Sequence, residues 1–197
     1  EHYDHFGAAD FMRTMFGCKI VASVPTAEIL RDHPERAMID NGHSYLEPCS
    51  VDITVEDGEK MTVGAVTFTF YLTPGHGEGV LTIVFPLTDE DGKEYCCALF
   101  GGVTMYQEHL KRMGIRLSIW EDFVQSLDRM RQIEVDIVLG NHPRQNDSMG
   151  KIARIVPGGQ NPFIDPTEWK RFLERTKSDF LEWCQADLAW EANRGKD

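Results

Sequence analysis

An α/β arrangement, or an α+β one with helices layered on a sheet, is the fold class this sequence predicts. Three observations lead there: strand patterns repeat between Val51 and Phe100, a short apolar strand pattern at Val135 to Leu139 sits between two helical patterns, and a long amphipathic stripe closes the chain. With 197 residues, 42% of them hydrophobic and 10% aromatic, the chain can bury a core as a single domain spanning 1–197.

Each element has its own signal. Gly7 to Phe16 reads as a short helix, with Phe11, Met12, Met15 and Phe16 at helical spacing, and Gly17 stops it before a strand at Lys19 to Ser23. A second helix follows at Thr26 to Arg31, and His33 to Pro48 is a turn-rich loop with one helical turn. Val51 to Val55, Met61 to Val63 and Val66 to Leu72 read as strands, with Asp57-Gly58 as a hairpin signal. Val80 to Phe85 and Tyr95 to Phe100 continue this meander around Asp91-Gly92. Ser118-x-x-Glu121 is a capping box that opens a helix through about Arg131, and Val135 to Leu139 then forms a buried strand ending at Gly140. After the Gly- and Pro-rich loop Pro157 to Pro166, Asp165-Pro166 caps a last helix to about Ala192. Its stripe of Trp169, Phe172, Leu173, Phe180, Cys184 and Leu188 packs on a sheet.

Charge and cysteine content exclude several functions. Thirty-two acidic against 20 basic residues give a formal charge of −12, and the cations are scattered, so nucleic acid and anionic membranes are poor partners. No apolar run is long enough to span a bilayer. Five cysteines, Cys18, Cys49, Cys96, Cys97 and Cys184, suggest no disulfide framework and read as buried thiols, and without a C-x-x-C pair a sulfur-ligated zinc is not expected.

Ligand-type residues gather at three places. The first is His2, Asp4 and His5 in Glu1-His2-Tyr3-Asp4-His5, where a tight loop can aim alternate side chains at one metal and the next side chain at a second. Alone, the string reads equally as a solvated terminus. The second is His76 in Thr73-Pro74-Gly75-His76-Gly77, directly after a strand, where Pro74 and Gly75 force a turn that exposes the histidine at the sheet edge. An ordinary loop histidine is the alternative. The third is His142 in Gly140-Asn141-His142-Pro143, again at the end of a strand. His33, His43 and His109 read as surface or helix-end residues, and Cys96-Cys97 as small core residues within a strand. Tyr106 and Trp120 either line a cleft or simply pack.

Five ligand-type residues at three strand ends form a pattern that resembles the metallo-β-lactamase superfamily. That superfamily's first motif is H-x-H-x-D-H, followed by a Gly-His turn after one strand and a last His after a later strand. The resemblance implies an αββα sandwich, of which this chain supplies the C-terminal lobe and the metal-site seam. It also implies that the sequence starts inside the first motif, with the first His immediately before Glu1 and an N-terminal segment of the same fold as a partner.

Spacing and final segment look most like subclass B3. On that resemblance His2 and His76 are ligands of one zinc, Asp4, His5 and His142 hold a second, and Asp4 also orients the attacking water. The function implied is a zinc-dependent hydrolase that opens an amide or lactam bond of a small-molecule substrate, periplasmic or secreted if a true β-lactamase and otherwise cytoplasmic. The alternatives are a hydrolase of the same fold acting on another ester or lactone, and a catalytically silent metal-binding fragment. After Phe100, where many relatives carry a bridging Asp and β-lactamases a Cys or nearby Ser, this sequence has Gly101-Gly102. This argues against glyoxalase-like, lactonase-like and phosphodiesterase-like relatives, and it leaves the β-lactam substrate the least supported part of the reading.

Overall fold

The structure, a computed structural model, describes residues 1–39, 47–103 and 119–193, with side chains described through residue 186. His43, Tyr106, His109, Ser118 and the side chain of Leu188 lie outside the described residues. Helices α1 (Tyr3–Phe6) and α2 (Ala9–Phe16) lead into strand β1 (Val21–Ser23), helix α3 (Val24–Asp32) and a 3-10 turn at Pro34–Ala37. Five strands follow β1: β2 (Ile53–Val55), β3 (Lys60–Val63), β4 (Val66–Leu72), β5 (Leu81–Thr88) and β6 (Glu94–Phe100). The described remainder is α4 (Ile119–Met130), β7 (Ile137–Gly140), α5 (Ser148–Ala153) and α6 (Glu168–Asn193). No helix among the described residues is long and apolar enough to cross a membrane.

The main sheet has the order β3-β4-β5-β6-β7, antiparallel except for the parallel β6–β7 pair. Both of its faces carry apolar residues, since successive side chains along the apolar strands point to opposite sides. One face presents Val84, Ala98, Phe100 and Val138 to α4 and α6, where Ile119, Phe123, Leu127, Met130, Trp169, Phe172, Leu173 and Phe180 complete the principal core. Trp169 is fully buried, and its indole N–H donates to the Met130 carbonyl at 2.9 Å, so its polar atom is satisfied inside the core. Trp120 belongs to this packing, against Phe180 and Trp183. The other face carries the row Phe70, Ile83, Leu99 and Leu139, and at its site-proximal end β1 lines a cleft together with Leu81, Ile83 and Leu99.

The helix expected between Gly7 and Phe16 is α2 (Ala9–Phe16), but other features differ from the sequence reading. The His2 to His5 string, expected as a loop, winds into α1, and Gly7 closes that turn by donating to the Tyr3 carbonyl before α2 begins. Strand β2 does not join the meander but pairs in parallel with β1, in a separate two-stranded sheet. Asp57-Gly58 is a turn, with Gly58 at φ 77°, yet it swings the chain between sheets. The Asp57 carboxylate accepts from the Leu72 amide and from Arg129, and the Gly58 amide donates to Phe70, so the turn is docked on β4 rather than on β2. Helix α5 was not expected, because it has no buried apolar stripe. Its one buried residue is Lys151, whose ammonium lies 2.6 Å from both Glu168 oxygens. Finally, Phe11, Met12, Met15 and Phe16 are all exposed on α2, whose tie to the body is Arg13 bridging Asp10 and Asp52. The five cysteines are free thiols, and burial pushes the Cys97 thiol up to about 11, far from a reactive thiolate.

Asp165 starts α6 by accepting from the Thr167 hydroxyl at 2.6 Å and its amide at 2.9 Å, with Arg171 at 2.8 Å. These bonds, the hydroxyl first, hold its carboxyl at about 2. Because the folded value is depressed, the carboxylate stabilises the fold fully above its unfolded value near 3.8, and that contribution disappears as pH falls toward 2. Asp165→Asn should therefore melt below the parent at pH 7, and the gap should close between pH 4 and pH 2 in thermal melts followed by circular dichroism. A gap independent of pH would refute the assignment.

Candidate metal centre

Strand direction decides where the site lies. Strands β4, β6 and β7 run the same way, so their carboxyl ends share one edge, and the segments leaving that edge are Thr73–Val80, Gly101-Gly102 and Asn141–Gln145. Helix α1 is set against this edge from the other side. Phe6 anchors it in a second core with Leu30, Ala37, Ile39 and Cys49, a burial worth roughly 1.5–3 kcal/mol.

All five sequence-derived candidates come to this edge and sort into two groups. Buried His2, just before α1, places Nδ1 3.0 Å from Nε2 of His76. A shared proton or a shared cation joins two imidazole nitrogens at such a distance, since neighbouring ligands of a tetrahedral zinc with 2.0–2.1 Å bonds lie about 3.3 Å apart. Asp4, His5 and His142 form the second group, with one ligand atom from each lying within 4.8 Å of the others. Asp4 Oδ2 is 3.6 Å from His5 Nε2 and 3.5 Å from His142 Nε2, and the two rings meet edge to face at 5.1 Å. Two imidazoles and a carboxylate are a donor set that suits zinc. Burial lowers the His5 pKa against the opposing pull of Asp4, which favours the neutral, lone-pair-bearing ring. His33, by contrast, is paired with Glu35 away from the edge.

The His76 turn is held by its neighbours. Thr73 donates its amide to the Val80 carbonyl at 2.8 Å, Gly75 to Gly77 at 3.1 Å, and the Thr73 and Thr82 hydroxyls meet at 2.9 Å inside the sheet. The Ser126 hydroxyl donates to the Pro74 carbonyl at 2.9 Å, and the Phe123 ring lies where a Cβ on Gly75 would sit, 2.1 Å from its Cδ2. On the outer side Ser23 and Thr26 donate to the Gly79 carbonyl at 2.6 and 3.2 Å, and Arg36 pairs with Glu78. His142 rides on a loop in which Gln145 accepts from the Asn141 amide at 2.8 Å while the Asn141 side chain donates to the Gly101 carbonyl. Gly101-Gly102 forms the floor between the groups, and a Cβ on Gly102 would stand 2.6 Å from Cβ and Cγ of His76. These supporting residues carry no motif of their own. The glycines beside His76 and Phe100 stood out in the sequence, but as a turn and as missing side chains rather than as close approaches. A cleft of about 220 Å³ opens over the edge, walled by Val21, Leu81, Ile83 and Leu99 and bordered by Glu1, His2, His5 and His76.

No family model matches the chain. In sequence it is similar to uncharacterized proteins of Mycobacterium tuberculosis and Mycobacterium bovis, 24% identical over 171 residues, which cover 83% of this chain and 72% of theirs. Its structure superposes on BJP-1, a subclass B3 metallo-β-lactamase of Bradyrhizobium japonicum, at a TM-score of 0.78 and 22% identity, covering 93% of this chain and 69% of that one. The metallo-β-lactamase FEZ-1 of Legionella gormanii gives a TM-score of 0.81 at 25% identity over 94% and 71% of the two chains. For GOB-18 of Elizabethkingia meningoseptica the values are 0.78, 21%, 94% and 69%. The chain has the metallo-β-lactamase fold, and its structural likeness runs to subclass B3.

Proposed function

We propose that this chain is a zinc-dependent hydrolase that opens an amide or lactam bond of a small molecule, with two zinc ions held by His2 and His76 on one side and by Asp4, His5 and His142 on the other. The observation that carries the reading is the sorting of these five side chains into two donor groups at one sheet edge, in a fold whose structural neighbours are β-lactamases. When bound, zinc would lower the pKa of a water to about 7 and polarise the carbonyl under attack.

The chain's own residues do the rest. Asp4 has oxygens to spare beyond one ligand atom, so its carboxylate also accepts a hydrogen bond from the attacking water and orients it, and no side-chain nucleophile is needed. The four histidines act as neutral ligands rather than as acids or bases. Val21, Leu81, Ile83 and Leu99 receive the apolar part of the substrate and keep bulk water from the polarised bond. A hydrolase of another ester or lactone is the second reading. The bare Gly101-Gly102 pair weakens the lactam without favouring a lactone in its place, because it supplies no bridging carboxylate either.

Elemental mass spectrometry of the complete enzyme should find two zinc ions, and His142→Ala in it should retain fewer and lose at least about 100-fold in kcat/KM toward a chromogenic cephalosporin. Zinc without turnover would remove the lactam substrate, and a chain without metal would remove the site. Gly102→Ala has no room beside His76 and should cost roughly 1–3 kcal/mol in urea unfolding while weakening zinc binding. An Ala variant as stable as the parent would mean that the floor tolerates a side chain.

A further inference from the structure

A second cleft, of about 420 Å³, lies behind the His142 loop, between that loop, α5 and the start of α6. Five cations line it, Arg144, Lys151, Arg154, Arg171 and Arg175, against three carboxylates, Asp147, Asp165 and Glu168. It therefore carries an excess of two positive charges in a chain whose formal charge is −12. Such a concentration is the reverse of what a solvated acidic surface produces by chance placement, and it sits in a concavity.

The pairing inside the cleft separates its floor from its rim. Lys151 is buried and neutralised by Glu168, with its ammonium 5.1 Å from the Phe163 ring centroid, so the floor is a closed ion pair. Arg154 lies 3.3 Å from Asp147 and Arg171 2.8 Å from Asp165, which keeps both guanidiniums at the rim. Neither Arg144 nor Arg175 meets a carboxylate among the described residues. Arg175 donates to the Gln145 backbone carbonyl at 3.3 Å. Two guanidiniums with donors to spare, flanked by two more, present planar forks from several sides of one cavity, the arrangement that suits the several oxygens of a tetrahedral dianion.

We propose that this cleft binds a small phosphate-type dianion, at a site separate from the candidate metal centre. Arg144 and Arg175 supply the charge that the dianion balances, and Arg154 and Arg171 bracket it. Gln145 links the two places, since its backbone carbonyl accepts from Arg175 while its side chain holds the Asn141 amide beside His142. The site itself does not depend on the hydrolase reading.

Inorganic phosphate is the probe, titrated into the full chain by isothermal calorimetry, with thermal melts confirming that each variant is folded. Saturable binding is expected, with the Kd raised at least tenfold by Arg144→Gln and further by the Arg144→Gln/Arg175→Gln pair. Lys170→Gln, which removes a cation paired with Glu134 outside the cleft, should leave it unchanged. His76→Ala should also leave it unchanged. Binding that His76→Ala abolishes and the arginine pair does not would place the anion at the metal centre and overturn the proposal. Equal weakening by Lys170→Gln would reduce the effect to net charge, and no binding at all would dispose of the site.

Discussion

Phe123 stands where the hydrophobic core and the polar edge meet, and the position of the site depends on it. Its ring packs on Phe100 and Phe180, and the same ring occupies the space a side chain at Gly75 would need. A helix buried for apolar reasons thus sets the height of the His76 turn above the sheet. Ser126, one turn further along that helix, fixes the turn's direction through the Pro74 carbonyl. Close packing makes this coupling stiff: the interior has no slack to absorb a displaced aromatic ring, so whatever moves α4 moves His76. The His142 loop is tied to the same structure by a different route, through β7 and the Asn141 contact with the Gly101 carbonyl.

Much of this was legible in the sequence because it rests on local rules. Strands β3 to β7 carry alternation or apolar runs, α6 carries a stripe at helical spacing, and His76 and His142 follow strands whose ends the chain marks with Gly and Pro. What was not legible depends on partners distant in sequence. Asp57-Gly58 has the same local chemistry whether it closes a hairpin or, as here, docks on β4 through Leu72 and on α4 through Arg129. Helix α5 is held by one ion pair to a residue 17 positions away, which no periodicity can report. The reading of Gly101-Gly102 as a missing side chain was incomplete for the same reason. Gly102 is needed because His76, 26 positions earlier, presses against it.

The two donor groups differ in a way that follows from their burial. His2 and His76 bring only imidazole rings to a partly buried position, whereas Asp4 brings a carboxylate to the more open side, with His5 and His142 beside it. A lone carboxylate costs less at the open side, where water still screens it. Burial argues for the same order: groups that can be neutral sit deepest, and the charged group sits where solvent reaches it. That order would be inverted if Asp4, in α1, and His2, just before it, exchanged places. The helical turn opposes this, because Phe6 points into the core and the directions of Asp4 and His5, on the same turn, follow from that anchor. Helix geometry therefore sets the spacing of Asp4 and His5, and a string that looks like a polar loop is a helical turn with one apolar side.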